Sequence, residues 1–265
     1  MKFAPLYDLP IWVAGLIFVI VLAITLELGF RVGLKRRKTL KDADSGGGSV
    51  VLTAMFAIMG LVLAFTYASG VSRFDSRKNA VMIEANALGT AFHRADLVAE
   101  PGRTELRMIL LDYARSRTFD PATLKTHENR MAVLNTSLEK LAKLWPATKR
   151  VVEQGKPGPI EASLVAGINA VIDAHTIRLT ALLDKLPKVV VWMLLFISAA
   201  ALAVAGYNAG IQGRMSRWRM SAFALVLTGL MLVILDFDRP NDGLIIVDHL
   251  SIDFVVADME AELGH

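Results

Sequence analysis

The sequence predicts an all-α integral membrane protein with four transmembrane helices and a helical extramembrane bundle inserted between the second and third. Three observations predict it. Hydrophobic residues make up 54% of the 265 positions and charged residues only 20%. An ordinary soluble domain is about 45–50% apolar by a count that also includes Gly. The apolar excess is gathered into four long runs, and the stretch between the inner two carries helical periodicity cut by Pro and Gly breakers. This composition excludes a disordered chain, a coiled-coil rod and a collagen-like fibre. No basic patch is interleaved with aromatics, so no nucleic acid is expected as a partner. Cys is absent, which excludes disulfides and Cys-ligated metal.

A helix crossing a ~30 Å hydrocarbon core needs about 20 mainly apolar residues. The N-terminal pair, within 1–70, has spans at 11–30 and 49–68. The C-terminal pair, within 187–236, has spans at 189–206 and 221–235, the last short enough to need its flanks. Trp12, Tyr67, Trp192 and Trp218 lie near the run ends, where amphipathic rings prefer the interface. The first run is not a cleaved signal: only Lys2 precedes it, and Arg31, Lys35, Arg36, Arg37, Lys38 and Lys41 follow.

Lys and Arg in short loops set orientation. The loop at 31–48 has six basic and two acidic residues, and the loop at 207–219 has Arg214, Arg217 and Arg219 with no acid. Both are expected in the cytoplasm, with the N-terminus and the helical region outside. The acidic C-terminal tail, 237–265, holds seven acids against Arg239 alone and agrees with this.

The helical region, 71–186, reads as helices near 71–99, 103–118, 122–144 and 160–186. Breakers are Pro101-Gly102, Asp120-Pro121, Trp145-Pro146 and the Gly155–Pro159 segment. No proline separates the first from the second membrane run, which predicts one helix over 49–99. At ~100° per residue Val81, Ala85, Leu88, Phe92 and Ala95 share an apolar face. Asn79, Asn86, Thr90 and His93 lie opposite, and Arg73, Arg77 and Glu84 sit at the rim. On the last helix Leu164, Ile168, Ile172, Leu179 and Leu183 form an apolar face. There Asp173 or Arg178 is placed to pair across the bundle with Arg77 or Glu84. The linker at 42–49 lacks the features of a phosphate loop. Asp238 to Gly243 is turn chemistry, followed by a short strand at Leu244–Val247 and an acidic helix at 252–263.

Polar groups inside a membrane are few. Glu27 and Arg31 are spaced to pair on one helix face. On the second span Thr53, Ala57, Gly60, Ala64 and Ala68 form a stripe of small residues. Such a stripe permits close helix packing in lipid, or a narrow constriction if several copies surround an axis. No enzyme motif is present: no HExxH, GxSxG, P-loop or dinucleotide fingerprint. His93 has no second ligand at helical spacing, so no metal, cofactor or catalytic residue is expected.

The stretch Arg77-Lys-Asn-Ala-Val-Met-Ile-Glu84-Ala-Asn86 through Arg94 joins Leu110-Leu-Asp-Tyr113, Ile168 through Asp173 with Arg178, Leu186-Pro187, and Leu235-Asp-Phe-Asp238-Arg239-Pro240 with Gly243. Together they resemble the bacterial bestrophin-like domain family of membrane proteins, a domain of unknown function. The resemblance covers most of residues 50–250. It implies a multi-pass protein of the bacterial cell (inner) membrane and kinship with bestrophins, oligomeric anion channels with four membrane helices per subunit. It further implies a homo-oligomer in the lipid bilayer that conducts ions, with the second span lining the pore. Thr53, Gly60 and Ala64 would face the axis, and Arg73, Arg77 and Glu84 would form a charged collar where that helix leaves the bilayer. Bestrophins keep their helical region in the cytoplasm, whereas the loop charges here point outside. The rival expectation is a membrane-anchored sensor or scaffold whose helical region binds a ligand or partner protein.

Overall fold

A computed structural model describes residues 10–39, 48–119, 126–155, 158–239 and 243–264. Among them the regular structure is helical, and no strand forms. The helices are α1 (Ile11–Arg37), α2 (Gly48–Ala95), α3 (Gly102–Arg115), α4 (His127–Ala142), α5 (Leu144–Gln154), α6 (Pro159–Leu183), α7 (Lys188–Gln212), α8 (Arg217–Phe237) and α9 (Leu250–Leu263). The expected linker at 42–47, the Asp120-Pro121 and Lys156-Pro157 breakers and the turn residues 240–242 lie outside the described residues.

Two compact units emerge. The membrane unit comprises residues up to Ser72 and Lys185–Arg239. The helical unit comprises Arg73–Asp184 and the segment after Arg239.

Four helical stretches are long and apolar enough to cross a membrane. The fourth, α8, has 21 residues rather than the short run expected, because Arg217 to Met220 and Asp236-Phe237 join the helix. Along α1, Trp12, Leu16, Ile20, Ile24, Leu28 and Val32 repeat every fourth residue and are all exposed. An exposed apolar stripe of this kind suits lipid. The opposite side, with Ala14, Phe18, Leu22 and Leu26, is buried.

That buried side meets α7 through glycines. A Cβ on Gly29 would lie 2.0 Å from the Ala203 carbonyl oxygen, and one on Gly206 would lie 2.2 Å from that of Leu26. Gly33 and Gly210 repeat the arrangement one turn on, at 2.2 Å from Tyr207 O and 2.3 Å from Phe30 O. Two Gly-x-x-x-Gly faces are thus in reciprocal backbone contact, the packing that small residues allow in lipid.

In the helical unit the predicted face of α2 is buried: Val81, Ala85, Leu88, Phe92 and Ala95 are at most 5% exposed. It packs with Leu106, Leu110 and Leu111 of α3 and Leu164 and Ile168 of α6. Four expectations need correction. On α6 the buried line continues through Val171, Ala174, His175 and Arg178, while Leu183 is 70% exposed. A helix, α5, starts at Leu144: Pro146 falls in its first turn, where the missing N–H has no partner to lose. Leu244–Val247 forms no strand; Val247 simply packs into the core. The C-terminal segment, read as a separate acidic tail, also belongs to this core. Ile252, Val256 and Met259 of α9 are buried in it, and Glu260 and Glu262 pair with Arg115 and Arg107.

Candidate functional site

The most concentrated chemistry lies in the helical unit around Glu84, whose side chain is fully buried. A bare carboxylate in such a place would be prohibitively unstable. Three groups satisfy it. From α3, the Tyr113 hydroxyl donates to Oε1 in a very short bond. Just past α3, Arg117 Nε donates to Oε1 at 3.0 Å and its Nη2 to Oε2 at 3.4 Å. From α6, Arg178 Nη1 donates to Oε2 at 2.5 Å. Arg117 Nη1 also reaches Ser137 Oγ on α4 at 3.4 Å.

Geometry fixes the protons of the neighbouring histidines. Tyr113 gives its one proton to Glu84, so its oxygen accepts from His175 Nδ1, 3.0 Å away. The His175 Nε2 is then the bare nitrogen, and it is buried without a hydrogen-bond partner. Arg178 has only donors, so Nδ1 of His249, 3.0 Å from Nη2, is the acceptor. The His249 ring also stacks edge-on to Phe119, with centroids 4.6 Å apart.

These neighbours set the charges. Burial pushes the Glu84 carboxyl up, but Arg117, Arg178 and the Tyr113 bond outweigh it and hold the group below the ordinary carboxylate range. Burial, then the Glu84 charge, pushes the Tyr113 hydroxyl up. Burial, then Arg117, holds His175 down. Burial, then Arg178 and Arg117, lowers His249 to about 4. At neutral pH the cluster holds two guanidinium cations, one carboxylate, a neutral phenol and two neutral imidazoles. It ties α2, α3, α4 and α6 to the segment that leads into α9. Tyr113, Arg117 and Arg178 are all bonded to Glu84, which holds these elements in register.

Of the pairs open between Asp173 or Arg178 and Arg77 or Glu84, Arg178–Glu84 forms. Within one protomer the residues expected to form the charged collar have separate partners. Arg77, 2% exposed, donates from Nε to Ala181 O at 3.1 Å and from Nη2 to Asp184 O at 2.8 Å. Arg73 pairs with the Asp184 carboxylate at 3.2 Å. Both arginines thus hold the C-terminal end of α6, where cations suit the carbonyl dipoles, and Glu84 belongs to a different set. Arg94 donates to Ser163 O at 3.0 Å. Asn86 and Asp173 are exposed, and Gly243 is half-buried. His93, Asp258 and Glu262 come together on the surface, all exposed, and Glu262 is also held by Arg107 at 2.6 Å.

In the membrane unit, Asp238 is 1% exposed, and one of its carboxylate oxygens accepts from the Leu186 N–H at 2.6 Å. It thereby fixes the chain just before Pro187, which starts α7. Arg239 is buried beside it in sequence, at 8% exposure. Glu27 and Arg31 form the expected pair, 2.9 Å apart. On α2 the small-residue stripe is uncovered: Thr53, Ala57, Gly60, Ala64 and Ala68 are all exposed, and nothing lies within 4 Å of a Cβ built on Gly60. The buried side of this stretch runs instead through Met59, Leu63, Thr66 and Gly70.

Sequence reasoning missed Arg117, His175, Ser137 and His249, and the four glycines between α1 and α7. Weak signals existed. Arg117 lies one turn after Tyr113, and His175 one turn before Arg178. Gly29 and Gly33, like Gly206 and Gly210, have small-x-x-x-small spacing.

The fold is that of solved bacterial bestrophin structures. A bestrophin homologue from Klebsiella pneumoniae carrying a single mutation superposes with a TM-score of 0.65 at 11% identity, covering 93% of this chain and 99% of that one. The Klebsiella pneumoniae homologue solved by Zn-SAD phasing gives 0.64 at 12% identity, with 93% and 98% coverage. A further structure, described only as a mutated membrane protein, gives 0.64 at 11% identity, with 94% and 99% coverage. No curated protein matches the chain. The Bestrophin-like domain profile matches residues 15–251, nearly the whole length, and the chain therefore belongs to the Bestrophin-like domain family.

Proposed function

We propose that this protein is a homo-oligomeric, bestrophin-like ion channel, selective for anions, in which α2 of each copy faces the central axis. One observation carries the reading. The small-residue face of α2, Thr53 to Ala68, is exposed in a single protomer, and Gly60 meets nothing within 4 Å. In a chain whose α1 and α7 glycines are packed to backbone contact, a small-residue face left open suits a narrow axis shared by several copies. The Glu84 cluster then serves as the rigid centre of the helical unit, and Arg73 and Arg77 as positioning residues at the end of α6. The basic loops around 35–38 and 214–219 support a cytoplasmic side for those loops and an external helical unit.

Purified protein reconstituted in chloride-loaded liposomes should release halide, and Gly60→Leu should abolish release while the oligomer keeps its mass by light scattering. A silent wild type, or unchanged flux from the variant, overturns the pore assignment. A silent wild type that crosslinks to a stable partner protein instead favours the scaffold. A single cysteine replacing the exposed Asp173 reports the side of the helical unit through impermeant labelling, on a chain with no other cysteine.

A further inference from the structure

Helix ends converge at one end of the membrane unit. Gly33 and Gly210 hold α1 and α7 in backbone contact close to their last turns. Asn208 Nδ2 of α7 donates to the Gly48 carbonyl at 2.8 Å, which pins the start of α2 there. Gly213 ends α7 in the left-handed region at φ 70°, and the Arg37 guanidinium occupies the space a side chain on Gly213 would take. The contact of Arg37 with Gly213 brings the end of α1, with Lys35, Arg36, Arg37 and the following Lys38, to the turn and the start of α8 that carry Arg214, Arg217 and Arg219. All seven are exposed. The acids among the described residues of this unit are Glu27, paired with Arg31, and Asp236 and Asp238 at the opposite end of α8. Trp218, beside the patch, is 75% exposed.

We infer that this face is a binding surface for anionic phospholipid headgroups. Charge complementarity and donor chemistry both favour such a ligand. Seven like charges gathered at one end of this unit repel one another and raise a local positive potential, which a phosphodiester relieves. Five of the seven are arginines, whose planar fork bonds phosphate oxygens two at a time. An exposed indole at the same level prefers the headgroup region. Loop charges that serve only to orient the chain need share a side of the membrane and nothing closer, whereas the glycine crossing here draws two loops together. Lipid binding at this face does not depend on ion conduction.

The test is thermal unfolding of the purified full chain in a neutral detergent, with added phosphatidylglycerol, phosphatidylcholine or inorganic phosphate at matched ionic strength. Phosphatidylglycerol should raise the midpoint by several degrees and phosphatidylcholine should not. The triple variant R214Q/R217Q/R219Q should lose at least half of that rise. Native mass spectrometry should find fewer bound phosphatidylglycerol molecules on the variant than on the wild type. The variant R214K/R217K/R219K, which keeps the charge but not the fork, should fall between them, and it stands in if the Gln variant fails to fold. Equal rises with both lipids overturn the inference, as does a Gln variant that responds like wild type. A rise reproduced by inorganic phosphate alone assigns the patch to a soluble anion and overturns the lipid reading.

Discussion

In the membrane unit α1 and α7 meet backbone to backbone, with glycines standing where a single methyl would strike a carbonyl oxygen 2.0–2.3 Å away. In the helical unit α2, α3 and α6 meet side chain to side chain, through a buried carboxylate and its two guanidinium partners. The difference follows from the surroundings. Lipid tails are as apolar as leucine, so helices there gain little by burying apolar side chains and more by close dispersion contact. In the helical unit apolar burial provides the drive, and the polar cluster fixes register, since every donor must find its own acceptor.

Glu84→Gln attacks the comparison where the effect should be largest. It leaves two buried guanidiniums without their counter-charge, a loss of about 3–5 kcal/mol. The thermal midpoint of the detergent-solubilised chain should fall sharply. A variant within a degree or two of wild type would show that the carboxylate is not the centre of the cluster.

Gly29→Ala comes next. The added methyl overlaps the Ala203 carbonyl, and overpacking of this kind costs about 1–3 kcal/mol. Gly60→Ala is the matched control on α2. With open space around it, the stability of the protomer should be unchanged or raised by up to about 1 kcal/mol from helix propensity. If Gly60→Ala weakens the oligomer while leaving the protomer intact, the two glycines separate into contacts within and between copies.

The helical unit should respond to acid. His249 faces Arg178 and Arg117, with Glu84 and its neighbour Asp248 as the nearby acids, and it titrates at about 4 instead of the ordinary 6.5. Between those values the docked segment binds fewer protons than the released one. Docking of α9 is therefore strongest above pH 6.5 and weakens, by at most about tenfold per pH unit, as pH falls toward 4. Hydrogen exchange at α9 amides, corrected for intrinsic rates, should show more frequent opening at pH 5 than at pH 7, and His249→Gln should flatten the difference. The smallest effect belongs to Glu27→Gln: an exposed pair one turn apart contributes about 0.3–0.5 kcal/mol, and salt should erase it.

Much of the fold is legible because it rests on local rules. The absence of proline between Ser49 and Glu100 makes α2 continuous, and 3.6-residue periodicity marks Val81 to Ala95 as its buried face. Facing polar positions on α2 and α6 even suggest the Glu84–Arg178 pair. The rest depended on choices no local pattern makes. Pro146 reads as a stop but sits in a first turn. The acidic segment after Asp248 reads as a tail, yet two of its carboxylates face Arg107 and Arg115. The bonds by which Arg77 closes the end of α6, over a hundred residues away in the chain, carry no local sign.

The amino-acid order by itself determined the apolar runs, the helical periodicity and the family motifs, because each depends on neighbours within a turn or two. Only the tertiary structure decided which glycines meet, which carboxylate gathers three donors, and which line of α2 is covered. Those contacts join residues as distant in the chain as Gly33 and Gly210, and depend on how whole helices are placed against one another.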